Sequence, residues 1–166
     1  HPACPDAPGQ GGPPRTVGRL HAEPTTRCTC GARVLELLYC QNCGDVLLGG
    51  FTPEAATQQN RVDTLLLADI PELGKLPDQV RLDRTAANYL VYWPNPTNAL
   101  TAPDQTTWRR DNGRVRYDFR RSALVPASGA IRVTGAGGGH TGWTFHAVVP
   151  ATARQQRDPA TVSPYP

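Results

Sequence analysis

The chain has 166 residues, 39% of them hydrophobic, with 16 glycines, 17 prolines and a formal net charge of +3. That length holds one ordinary domain or two small ones, and so much Gly and Pro favours turns and short strands over long helices. The weak positive charge excludes a surface built throughout for a polyanion, and no apolar run approaches the ~18 residues of a membrane span.

Taken in chain order, the first segment is a Pro/Gly-rich lead-in. It opens on His1, carries Cys4, and reads as a piece of a longer protein, because neither a Met nor a signal sequence begins it. Val17–Ala22 is expected as a short strand. Next comes "RCTCGARVLELLYCQNCGD", Arg27 to Asp45, with Cys28 and Cys30 at one end and Cys40 and Cys43 at the other. A metal, a disulfide or a redox centre would each explain four thiols so close together. Five cysteines with no secretion signal argue against a disulfide framework. A lone redox C-x-x-C does not explain the second pair.

The glycines favour a metal. Gly31 follows Cys30 and Gly44 follows Cys43. A knuckle turns there to aim backbone N–H groups at the sulfurs, and Gly accepts the positive φ this requires. The expectation is one structural Zn²⁺ held by Cys28, Cys30, Cys40 and Cys43, with a strand leaving one knuckle and returning to the other. The one-residue spacer between Cys28 and Cys30 is tighter than usual, so Cys4 is a substitute ligand. Cys4 also reads as a loop thiol, and His1 with Cys4 as half of another knuckle.

The following elements read as β structure. Val34–Tyr39, Val46–Phe51, Asp63–Ile70 and Tyr89–Trp93 have the branched and apolar runs of strands, ended by Pro71 and by Pro94 and Pro96. Gln79–Asn88 is expected to hold a helical turn, and Pro94–Gln105 a loop. In "WRRDNGRVRYDFRR", Trp108 to Arg121, Asn112-Gly113 signals a type I′ hairpin. The register then sets Arg109 opposite Arg116 and Trp108 opposite Tyr117. Alternation gives Trp108, Val115, Tyr117 and Phe119 a core-facing side. Arg109, Asp111, Arg114, Arg116, Asp118 and Arg120 share a side for solvent or a partner.

Six Arg against two Asp give this stretch +4 and leave the remainder −1. Arg109, Arg114, Arg116 and Arg120 are the candidate contacts to a DNA or RNA backbone. A solvated face neutralised by Asp111 and Asp118 is the competing reading. Ala123–Val133 reads as a hairpin turning at Pro126–Gly129. Trp143–Val149 alternates Trp143, Phe145, Ala147 and Val149 on one face.

The glycine loop Thr134–Gly142 lacks the Lys-Ser/Thr and the following helix of a phosphate cradle. No paired-carboxylate, nucleophile-elbow or H-E-x-x-H pattern is present. His140 and His146 have no ligand-spaced partners.

The block "LHAEPTTRCTCGARVLELLYCQNCGDVLLGGF", Leu20 to Phe51, resembles the zinc-ribbon region of large bacterial DEAD/DEAH-box helicase-like proteins, many encoded among anti-phage defence genes. "YWPNP" at Tyr92 and "RRSALVPASGAIRV" at Arg121 are similar to the β-rich region that follows it there. The resemblance implies a cytoplasmic parent that translocates on nucleic acid at the expense of ATP. Its other domains, and a partner defence protein, would be what this piece contacts. No helicase motif falls within these residues, so no ATPase role carries over.

The sequence therefore predicts a mainly β protein with little helix: a zinc ribbon over 1–52, an antiparallel β region over 53–150 and a tail over 151–166. Its role would be structural and recognitional, either contacting nucleic acid or docking another protein.

Overall fold

A computed structural model describes residue 4 and residues 19–53, 63–68, 84–85, 88–94, 105–110, 115–132 and 140–148. Eight strands run through them: β1 Glu36–Tyr39, β2 Val46–Phe51, β3 Asp63–Leu65, β4 Tyr89–Trp93, β5 Gln105–Arg110, β6 Val115–Val125, β7 Ala130–Arg132 and β8 His140–Val148. None of the described residues is helical, and so no helix among them is long and apolar enough to cross a membrane.

Every pairing is antiparallel. The sheet order is β1-β2-β4-β8-β6-β7-β3, with β5 on β6 beside β7. Just past β3, Leu67 exchanges two backbone hydrogen bonds with Phe51 of β2, at 2.8 and 2.9 Å. This bridge returns the path to its second strand, so the sheet curls back on itself. The expected division at residue 52 therefore runs through a continuous sheet, since β2 pairs with β4 from Leu48–Tyr92 to Phe51–Tyr89.

Both faces of β4 are buried, and its alternation shows why. Leu90 and Tyr92 point to the inner side, where they pack with Leu66, Leu124 and Ile131. Tyr89 and Val91 point the other way and pack with Phe145, against Phe51, Trp93 and Phe119. The aromatic rings there meet edge-on, with Phe119 and Phe145 4.6 Å apart. A strand apolar on both sides reads as a continuous run, as "YLVYW" does. Tyr92 is buried with its hydroxyl held to the Leu124 backbone, and burial pushes that hydroxyl above the usual tyrosine range.

A small polar network clasps β1 to β4. Gly49 leaves room for the Tyr89 ring, whose hydroxyl would collide with any Cβ there. Tyr89 donates to Glu36 at 2.7 Å, and Arg84 reaches the same carboxylate at 2.6 Å while lying over the Tyr89 ring. The Arg84–Glu36 pair is about two-fifths exposed and contributes at most ~1 kcal/mol. The buried ring over the glycine is the larger effect.

Several expectations need correcting. Arg19–Ala22, the described part of the strand expected over Val17–Ala22, is irregular. The run predicted over Val34–Tyr39 is a strand only from Glu36, and the one predicted over Asp63–Ile70 only to Leu65. Of the helical turn expected within Gln79–Asn88, the described residues show only that the Asn88 and Tyr89 N–H groups donate to the Thr85 carbonyl and the Thr85 N–H to the Asn88 side chain. The rest of Gln79–Asn88 lies mostly outside the described residues, as does the tail over 151–166.

β6 is one uninterrupted strand, where two hairpins were expected to meet. The Trp108–Tyr117 and Arg109–Arg116 registers are as expected. The side chain of Asp118, placed on the solvent side, is 1% exposed, because it shares the face of β6 that carries Leu124, and the curled sheet encloses that face.

The turn from β6 to β7 sits where predicted and carries a glycine pressed closely against another stretch of backbone. Gly129 has φ 76°, and a Cβ would stand 2.3 Å from the Leu66 carbonyl oxygen. Gly44 also has positive φ but has only an ordinary contact nearby. Gly44→Ala should therefore cost the left-handed strain alone, about 1–2 kcal/mol. Gly129→Ala should add overpacking of about 1–3 kcal/mol. Urea unfolding midpoints should fall in that order. An equal loss for the two variants would show that the Leu66 contact yields without cost.

Candidate metal centre

The site grows from two turns of similar design. In the first, the Gly31 N–H donates to the Cys28 carbonyl at 2.8 Å and the Cys28 N–H to the Ala32 carbonyl at 2.9 Å. In the second, the Gly44 N–H donates to the Cys40 carbonyl and the Cys40 N–H to the Asp45 carbonyl, each at 2.9 Å. Gly31 and Gly44 have φ 83° and 77°, the conformation expected behind each second cysteine. The turn beginning at Cys28 is one residue shorter, as its spacer requires.

Backbone N–H groups reach the sulfurs in both turns. The Cys30 N–H, more than any other group, lowers the Cys28 thiol from 9.0 to about 6. Burial opposes this, while the Cys30 thiol, the Thr29 hydroxyl and the His21 imidazole assist. At Cys30 the Ala32 N–H pulls downward, but burial and the thiols of Cys28 and Cys4 together push the net value up. Cys40 is lowered, chiefly by the Cys43 N–H. Cys43 is raised: the Asp45 N–H pulls it down, but the Cys40 thiol, burial and nearby charge outweigh it. Each turn thus pairs a thiol that ionises readily with one that holds its proton.

The structure brings Cys4 to the first turn. Its sulfur is 4.0 Å from that of Cys28, and the sulfurs of Cys4, Cys28 and Cys30 all lie within 4.8 Å of one another. With sulfur–zinc bonds of ~2.3 Å, the edge of a tetrahedron is about 3.8 Å. Three thiols at this spacing fit a thiophilic ion after a small contraction. Cys4 is buried beside this turn, within reach of the other two thiols as a substitute ligand requires.

The single site expected from Cys28, Cys30, Cys40 and Cys43 is not assembled. β1 does not return to its starting knuckle. It runs straight, paired with β2 from Glu36–Gly49 to Tyr39–Val46, and four residues of strand span ~13 Å. Cys40 and Cys43 are therefore carried to its far end. There they form a separate pair in mutual contact, with Cys43 exposed. His1 lies outside the described residues.

The first turn is fixed to the sheet. The Arg33 N–H donates to the Pro126 carbonyl at 2.8 Å, and the Arg27 guanidinium reaches the carbonyls of Gly31 at 3.1 Å and Ala127 at 3.5 Å. Ala32 is buried, and Leu35 packs against the inner core.

The candidate nucleic-acid contacts are less gathered. Arg109 and Arg116 stand opposite one another on β5 and β6. Arg120 is further along β6, half-buried, with its Nε enclosed and without a hydrogen-bond partner among the described residues. Arg114 lies outside the described residues.

The fold and the cluster define an antiparallel β domain carrying cysteine knuckles. The chain matches the YjiV N-terminal domain family over residues 20–161 and belongs to it. No curated protein and no solved structure matches the chain.

The separation of the two pairs is testable by alkylation of the full chain. With zinc bound, iodoacetamide should label Cys40 and Cys43 and spare Cys4, Cys28 and Cys30. A chelator should expose Cys28 and Cys30 to the reagent. Equal zinc protection of all five thiols would contradict the arrangement described.

Proposed function

We propose that this domain is a zinc-stapled β module of a larger protein, with a structural and docking role. The observation that carries the reading is the cluster of Cys4, Cys28 and Cys30 on a turn hydrogen-bonded to the sheet. A metal there would tie the segment carrying Cys4, the knuckle and the β6–β7 turn into one unit. Three thiolates favour zinc over harder ions such as magnesium or calcium. The family's description as an N-terminal domain supports a larger parent. The resemblance to helicase-like defence proteins supports an ATP-driven nucleic-acid translocase in that place. The proposal assigns no catalytic residue to this domain.

A second reading, contact with nucleic-acid backbone, is favoured by the register that sets Arg109 opposite Arg116. Like charges directly opposite one another are destabilising, and a phosphate between them would relieve the repulsion. Replacing Arg109, Arg114, Arg116 and Arg120 with alanine in the intact parent should then weaken DNA or RNA binding for every sequence. The salt dependence should become shallower by about 0.9 log unit per lost contact on duplex DNA. Unchanged affinity and slope would leave docking as the role of this hairpin.

The zinc reading is tested by linkage. Metal that binds only the folded state stabilises it by ~2.7 kcal/mol at a hundred times Kd. In a domain of this size that is about 5–10 °C in Tm. Cys30→Ser should abolish the increment. The same Tm in zinc and in chelator would refute the staple.

A further inference from the structure

Resting on that zinc reading, we propose that His21 supplies the fourth ligand, making the centre a Cys₃His site of Cys4, Cys28, Cys30 and His21.

Closed structural zinc sites hold four protein ligands, and the cluster presents three. Cys40 and Cys43 stand at the far end of β1 and do not complete it. His21 is seven residues before Cys28, half-buried, and its imidazole already hydrogen-bonds the Cys28 thiol. The segment between them is held in place: the Val34 N–H donates to the Thr26 carbonyl at 3.2 Å, and the Thr25 hydroxyl to the Arg27 carbonyl at 3.1 Å. His21 therefore meets the cluster at the end of a constrained stretch.

The imidazole touches Cys28 and lies outside the mutual 4.8 Å group. To share an ion it must turn toward Cys4 and Cys30, replacing its hydrogen bond to sulfur with a bond to metal. The protons held by the thiols leave to solvent as zinc binds. Three thiolates, one neutral imidazole and Zn²⁺ sum to a single negative charge, half that of an all-cysteine site. The Arg27 guanidinium, bonded to Gly31 beside the cluster, is placed to offset it. Soft sulfur with imidazole is a donor set that zinc accepts readily.

The experiment uses the full chain and two probe ions. Competition titrations give zinc affinity, and cobalt(II) spectra report the ligand set. The wild type should show four-coordinate cobalt with three sulfurs and one nitrogen. X-ray absorption of the zinc form should show nitrogen at ~2.0–2.1 Å and sulfurs at ~2.3 Å.

His21→Ala should lower zinc affinity by at least the 10–100-fold that loss of a mere supporting partner costs, and should open the cobalt shell to water. His21→Cys should recover the affinity and move the cobalt bands toward those of four thiolates. An unchanged affinity and spectrum in His21→Ala, with both lost in Cys28→Ser, would overturn the role of His21 and leave the thiol cluster standing. So would four sulfurs in the wild-type absorption data. Metal binding that survives both Cys28→Ser and Cys30→Ser would remove the cluster and this inference together.

Discussion

The turn from Pro126 to Gly129 is the footing on which the rest of the structure depends. It is bonded from two directions. Pro126 accepts the Arg33 N–H that fixes the first knuckle, and Gly129 accepts the Leu66 N–H at 2.8 Å. Leu66 is fully buried in the inner core and leads directly to the Leu67 bridge. Only a glycine can hold the turn's left-handed corner so near the Leu66 carbonyl. The sheet's return path and the seat of the cysteine cluster thus share one four-residue element.

This arrangement gives the cluster a particular relation to the fold. The β region has its own two apolar clusters, on opposite faces of one sheet, and does not need a metal to bury them. The cluster sits where chain outside the sheet meets it. A metal at such a position acts on the attachment of that chain more than on the core. Zinc fingers are the opposite case: the metal replaces a core too small to hold alone.

Much of the local structure was legible in the sequence. "VLLGGF" and "YLVYW" announced β2 and β4 to the residue, because branched and aromatic runs with clear stops leave little choice. Reading Asn112-Gly113 as a two-residue turn predicted the observed register of β5 on β6, since such a turn dictates which residues face each other. The glycines behind Cys30 and Cys43 announced both knuckles through the φ that those turns demand.

What failed was of longer range. Nothing in the spacing said that β1 runs away from its first knuckle, because doubled cysteine pairs fit a returning strand equally well. The closeness of Cys4 to Cys28 spans 24 positions, a distance over which no local periodicity speaks. Asp118 looked solvent-facing because alternation within one hairpin cannot report which of its faces the curled sheet will enclose. His21 carried no ligand spacing, and its contact with Cys28 follows only from the irregular path between them.

The central position of β6 has a consequence for how the molecule opens. β8 covers one edge of β6 from Arg116 to Leu124, while β5 and then β7 cover the other. Among the described residues β1 has a single strand partner. Amide protons of β6 can meet solvent only when two neighbours part together, whereas those on the outer side of β1 need no such event. Opening free energies should therefore climb from the cysteine hairpin toward β6. Strands distant in sequence, such as β4 and β8, must find each other before that protection is complete. The hairpin bearing Cys40 and Cys43 thus breathes more freely than the middle strand of its frame, which is the last to let go.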